Sequence, residues 1–80
     1  MISKHLIFIE SNSPGKFWRI VAKSAGVPLG RVEWHAPWKC CVFSARSGTI
    51  YDAECLRDIS FFCAEQTEYH KRVSGSVGKH

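Results

Sequence analysis

Eighty residues allow one small domain, which buries only about 60–65% of the surface its unfolded chain exposes, so disulfides, a metal or oligomerisation is expected to support it. Hydrophobic residues make up 45% of the chain and charged residues 22%, which excludes wholesale disorder. The net charge of +4 and pI near 9.1 tilt the choice of partner towards polyanions, although net charge governs solubility and encounter rate more than ligand identity.

The chain opens with "MISKHLIFIE", where Lys4 and His5 precede only four apolar residues. No apolar run reaches the roughly 18 residues of a membrane helix, and this opening lacks the form of a signal peptide, so a cytoplasmic protein is expected. Residues 5–10, "HLIFIE", are rich in β-branched and aromatic types and stop at "SNSPG", which predicts a strand and a turn. Residues 16–23, "KFWRIVAK", set Phe17, Arg19 and Val21 against Trp18, Ile20 and Ala22, the alternation of a second strand. Two glycines and a proline make 24–30 a loop. "RVEWH" and "KCCVFSA" then form a third and fourth strand around Ala36-Pro37.

With a two-residue loop at Ala36-Pro37, His35 opposes Trp38 and Trp34 opposes Lys39. One face then carries Val32, Trp34, Cys41 and Phe43, with Lys39 at its edge. The other carries Arg31, Glu33, His35, Trp38 and Cys40. Proline suits a primed two-residue turn poorly, so a wider loop stays open. After the "RSG" turn, Asp52 caps a helix, with Glu54 in its first turn. Cys55, Leu56, Ile59, Phe62, Cys63 and Gln66 form its buried stripe. The helix is expected to end near Lys71 and Arg72, closing a domain of residues 1–73 and leaving 74–80 as a flexible basic tail. Phe61 points away from the stripe, beside Ser60 and Ala64. That predicts a second buried surface, a homo-oligomer interface to which Trp18 is also assigned.

Metal and catalytic readings find little support. Cys40 and Cys41 are adjacent and point to opposite faces, and Cys55 and Cys63 sit on the helix stripe. Neither pair has the short spacing that lets thiolates converge on zinc, so reduced cysteines packed as small hydrophobes are expected, with no cofactor. His5, His35, His70 and His80 lie in no metal-binding or nucleophile-activating motif. Ser60 lacks a G-x-S-x-G context, and "SPGK" lacks P-loop spacing. The carboxylates at Asp52, Glu54 and Asp58 are explained by the helix dipole. The chain is read as a non-enzyme.

Aromatic rings interleaved with cations are more informative. Indoles stack on nucleobases while lysine and arginine take phosphate oxygens. Trp38 beside Lys39, with His35 and Arg31 on the same face, has the parts of a nucleotide site. Trp38 would stack, Lys39 and Arg31 would contact phosphate, and His35 would donate a hydrogen bond. Trp18 and Trp34 read first as core.

The stretch "LGRVEWHAPWKCCVF…YDAECLRDISFF" resembles small bacteriophage proteins. Those combine a Leu-Gly-x-Ile/Val-x-Trp hairpin, a second Trp followed by a basic residue, a Phe-ending strand and a Cys-Leu-x-x-Ile-x-x-Phe helix. The matching positions are Leu29, Gly30, Val32, Trp34, Trp38, Lys39, Phe43, Cys55, Leu56, Ile59 and Phe62, with Lys39 and Cys41 standing where the pattern carries arginine and tyrosine. The resemblance implies a viral counter-defence protein of the host bacterial cytoplasm, of a kind that includes sponges for cyclic-nucleotide immune signals. It also implies no catalysis and a homo-oligomer. The expected fold is α+β, a four-stranded mainly antiparallel sheet with one C-terminal helix on one face, binding a cyclic oligonucleotide or related nucleotide. Two rivals remain. One is an anti-CRISPR-like inhibitor of a host defence protein, anchored by Trp18, Trp38 and Phe61. The other is a small nucleic-acid-binding module.

Overall fold

The computed structural model describes residues 3–11 and 17–78, with side chains as far as Val73. The expected turn at 12–16 lies outside the described residues, as do residues 79 and 80 and the side chains of 74–78, which make up the expected tail. Four strands follow in order: β1 (Leu6–Ser11), β2 (Phe17–Ala22), β3 (Pro28–His35) and β4 (Cys40–Ala45). They form one antiparallel sheet in the order β1-β2-β3-β4, so each strand pairs with its neighbour in sequence. A single helix, α1 (Ala53–Gly78), covers one face. The α+β architecture expected from the alternation of periods is the one observed. The backbone of α1 continues past Arg72, where its end was expected.

Three local features differ from expectation. The loop after β2 is shorter, because β3 begins at Pro28. Proline is tolerated at the first residue of a strand, and here it sits opposite Val21, where the register shifts between Ile20 and Val21. Gly26 turns the chain in a left-handed conformation, φ +66°, and its N–H donates to the Ala22 carbonyl at 2.8 Å. The β3–β4 hairpin is also wider than two residues. Its first pair is His35↔Cys40, followed by Trp34↔Cys41 and Val32↔Phe43. Ala36–Trp38 form a 3-10 turn, and Lys39 is left-handed at φ 53°, donating its N–H to the Ala36 carbonyl at 3.1 Å. Lys39 therefore leaves the ladder rather than edging the apolar face. The register moves by two residues, and side chains repeat every two, so both faces keep their expected strand residues.

The third difference concerns the helix stripe. Ile59 and Phe62 are buried with Leu6, Ile20 and Val32 to form the core, while Leu56 is 52% exposed. A single sheet covers only a narrow arc of a helix, and Leu56 falls outside it. Phe62 is the centre of the packing: Phe8 stacks on it at 4.2 Å between ring centroids, and Trp18 meets it edge-on at 5.0 Å. Further along the helix, polar residues occupy the same arc. Thr67 Oγ1 donates to the Cys63 carbonyl at 2.8 Å and accepts the Cys41 N–H of edge strand β4 at 2.8 Å. His70 lies flat on Trp34 at 3.7 Å. Asp52 caps the helix as expected, its Oδ1 accepting the Cys55 N–H at 2.9 Å. Ser3 ties the start of the chain to α1: its buried hydroxyl donates to Asp58 at 2.6 Å and accepts the Leu6 N–H at 3.2 Å.

Candidate functional site

Because one helix covers one face, the other face of the sheet is open. Strand alternation and register place Ile7, Ile9, Phe17, Arg19, Val21, Arg31, Glu33, His35, Val42 and Ser44 there. Two rows across the strands carry its chemistry. One runs Ile9–Arg19–Arg31–Ser44, the other Ser11–Phe17–Glu33–Val42. Arg19 and Arg31 are thus directly opposite each other, an arrangement that costs stability when nothing lies between the charges. Arg31 is partly compensated: its guanidinium lies 4.9 Å from the Phe17 ring centroid and its Nε is 3.7 Å from Glu33 Oε1. Among the described residues Arg19 has no acidic partner.

Of the four residues singled out for nucleotide contact, Arg31 and His35 project from β3 on this face. The Trp38 indole meets His35 edge-on at 4.9 Å, which stands it at the hairpin end of the same face. At 71% exposed it is the most accessible of the chain's three tryptophans. Lys39 follows it in the loop, also exposed. His35, Trp38 and Lys39 are therefore neighbours. Arg31 is four residues from His35, roughly 13 Å along an extended strand. Arg19 and Phe17 escaped the sequence reading as partners of Arg31. Their alternation was visible, but only the β2–β3 register puts them beside it.

The two residues assigned to an oligomer interface, Trp18 and Phe61, are brought together elsewhere. Both line a cleft of about 820 Å³ between the sheet and the second half of α1, which Phe17 and Glu33 of the open face also border. Trp18, Val32, Trp34 and Cys41 form its floor, and Phe61 is 56% exposed on its wall. None of Arg31, His35, Trp38 and Lys39 lines it.

The cysteines are all free thiols. Burial pushes the Cys63 thiol up to about 11, with Cys41 and Cys40 nearby adding to the effect. Burial also raises Cys41, against the lowering effect of its Thr67 hydrogen bond. Such thiols stay protonated at neutral pH, which suits packing rather than nucleophilic or metal chemistry. Among the described residues no group of three or more His, Cys, Asp or Glu side chains is placed to hold a metal ion. No helix among them is long and apolar enough to cross a membrane.

The class is thereby defined by architecture: a four-stranded meander with one helix on one face, a basic-aromatic open face, and an aromatic cleft beneath the helix. No known protein family, curated protein or solved structure matches the chain.

Proposed function

We propose that the chain binds a phosphate-bearing nucleotide ligand on its open face and does not turn it over. The observation that carries this reading is the direct opposition of Arg19 and Arg31 on an uncovered sheet. An anion seated between them relieves a repulsion that Glu33 and the Phe17 ring offset only on the Arg31 side. Aromatic surface stands on the hairpin side of the pair. Phe17 lies one row away, and Trp38, held by His35, stands at the hairpin end with Lys39 beside it. Bases stack on the rings and phosphates sit on the cations.

The separation of about 13 Å between Arg31 and His35 along β3 favours a ligand longer than one mononucleotide. An oligonucleotide or a cyclic oligonucleotide fits that length. The resemblance to phage proteins selects the cyclic immune signal, which the chain would sequester from a bacterial defence system. Because the face is open, sequestration calls for a second copy laid over the bound ligand, so a homo-oligomer belongs to this reading. A linear single strand running across the same rows is the alternative ligand.

Calorimetry against cyclic dinucleotides, cyclic trinucleotides, cyclic ADP-ribose isomers and a short single-stranded oligonucleotide tests the proposal. Trp38→Ala is expected to cost roughly 1–3 kcal/mol, about ten- to a hundred-fold in affinity, while the fold is kept. Binding should weaken with added salt, and less steeply in Arg19→Ala. If no member of the panel binds more tightly than about millimolar, near −4 kcal/mol, the nucleotide reading is wrong.

A further inference from the structure

The cleft under α1 has a charge opposite to that of the open face. Its helix wall presents Phe61, Glu65, Glu68, Tyr69 and Arg72, at i, i+4, i+7, i+8 and i+11, the spacing of one helix face. Glu10, at the end of β1, and Glu33, on β3, line the cleft from the sheet. Four of the chain's seven acidic residues, Glu10, Glu33, Glu65 and Glu68, thus line one cleft in a protein whose net charge is +4. Among the described residues Arg72 is the only lysine or arginine that lines the cleft. Glu10, Glu65 and Glu68 are exposed and, among the described residues, have no basic partner. Between the acids the surface is aromatic: Trp18 and Trp34 on the floor, Phe61 and Tyr69 on the wall at 56% and 59% exposed.

We infer that this cleft docks a basic amphipathic segment of another protein. The segment's apolar side chains lie on Trp18, Trp34, Phe61 and Tyr69, and its lysines or arginines reach Glu10, Glu65 and Glu68. Aromatic faces framed by carboxylates favour cations twice over, through the ring quadrupole and through the ion pair. A second copy of this chain fits less well. A two-fold contact through the cleft sets Glu65 and Glu68 near their own symmetry mates, and like charges at an interface repel. Phe61 is thereby assigned to a foreign partner rather than to self-association. A phosphate-bearing ligand is repelled for the same electrostatic reason, so the two surfaces take different ligands although Phe17 and Glu33 border both.

The three tryptophans make the test local. In the full chain, the indole N–H signals of Trp18, Trp34 and Trp38 are assigned with single Trp→Phe variants. The protein is then titrated with a lysine–leucine amphipathic peptide and with its glutamate–leucine counterpart of equal length. The lysine peptide is expected to shift Trp18 and Trp34 and leave Trp38 in place. Its affinity should fall about tenfold or more in Phe61→Ser and in the Glu65→Lys/Glu68→Lys double variant, whose changes are all at exposed positions. The double variant should take the glutamate peptide instead. Equal binding of both peptides, no binding of the lysine peptide, or shifts confined to Trp38 would overturn the inference. So would a dimer in sedimentation that Phe61→Ser dissociates, because a second copy would then be the occupant. Nucleotide binding reports through Trp38, so either surface can fail without the other.

Discussion

Gly30 offers the sharpest check on the hairpin that carries Arg31, His35 and Trp38. A Cβ built on it would overlap the Ser44 carbonyl oxygen of β4 and lie 3.0 Å from both Ala45 Cα and Phe43 Cε1. Two of those atoms belong to the backbone and cannot turn aside, so Gly30→Ala must push β3 and β4 apart. The pairs Gly30↔Ala45 and Arg31↔Ser44 would yield, with the bond from the Arg46 N–H to the Leu29 carbonyl, 2.8 Å long. Overpacking costs about 1–3 kcal/mol, and each weakened hydrogen bond adds about 0.5–1.5 kcal/mol. The stiffer unfolded chain offsets about 0.4–1 kcal/mol. With one or two bonds affected, the middle of these ranges gives a net loss of about 2–3 kcal/mol. A domain of 80 residues has roughly 4–12 kcal/mol in total, so the melting temperature should fall on the order of 10–25 °C. Urea unfolding followed by tryptophan fluorescence measures it. Gly26→Ala is the control: its Cβ meets nothing, and only the left-handed backbone opposes it, at about 1 kcal/mol. If Gly30→Ala costs no more than Gly26→Ala, β3 and β4 do not pair in this register.

Phe62→Ala removes the ring between Phe8 and Trp18 and should cost about 3–5 kcal/mol, enough to leave the chain partly unfolded at room temperature by circular dichroism. The Cys55 N–H holds the Asp52 carboxyl below its ordinary 3.8, so its stabilising effect is present above that value and lost as pH falls through the lower folded value. Asp52→Asn, still a good cap, should therefore match the parent near neutrality and lose less stability on acidification, as read from urea midpoints. Cys63 titrates in the other direction. With its thiol raised from 9.0 to about 11, stability is intact below pH 9 and lost as pH climbs towards 11. Comparing urea midpoints at about pH 8 and about pH 10.5, Cys63→Ala should flatten that alkaline loss, and an unchanged slope would refute the burial of this thiol.

Period two and period 3.6 are local properties, so the strands and the helix were legible in the sequence. The open-face membership of Arg31, Glu33 and His35 was legible too, and it survived an error of two residues in the hairpin register because faces repeat every two. What depends on pairing was not legible. Gly30 looked like loop punctuation, whereas it is the residue that lets β4 approach β3. Lys39 was placed on the sheet because the length of the loop after His35 is set by its left-handed backbone, which residue type alone does not announce. Thr67 and His70 were invisible as packing residues since both are polar. Their value comes from the β4 amide and the Trp34 indole that the fold sets against them. Leu56 misled in the opposite way, an apolar side chain on an arc that one sheet is too narrow to cover.

Net charge is instructive in a different way. An excess of cations predicts a polyanion somewhere, but the fold sorts charge by face before any partner meets it. Arg19 and Arg31 project from one side of a sheet one residue thick, and Glu10, Glu65 and Glu68 gather on the other. Glu33 belongs to both arrangements: it lies near Arg31 on the open face and also lines the cleft beneath the helix. A ligand that draws Arg31 away from Glu33 leaves that carboxylate freer to meet a cation in the cleft, and the converse holds by linkage. Oppositely charged partners on the two faces would then assist each other through a single side chain.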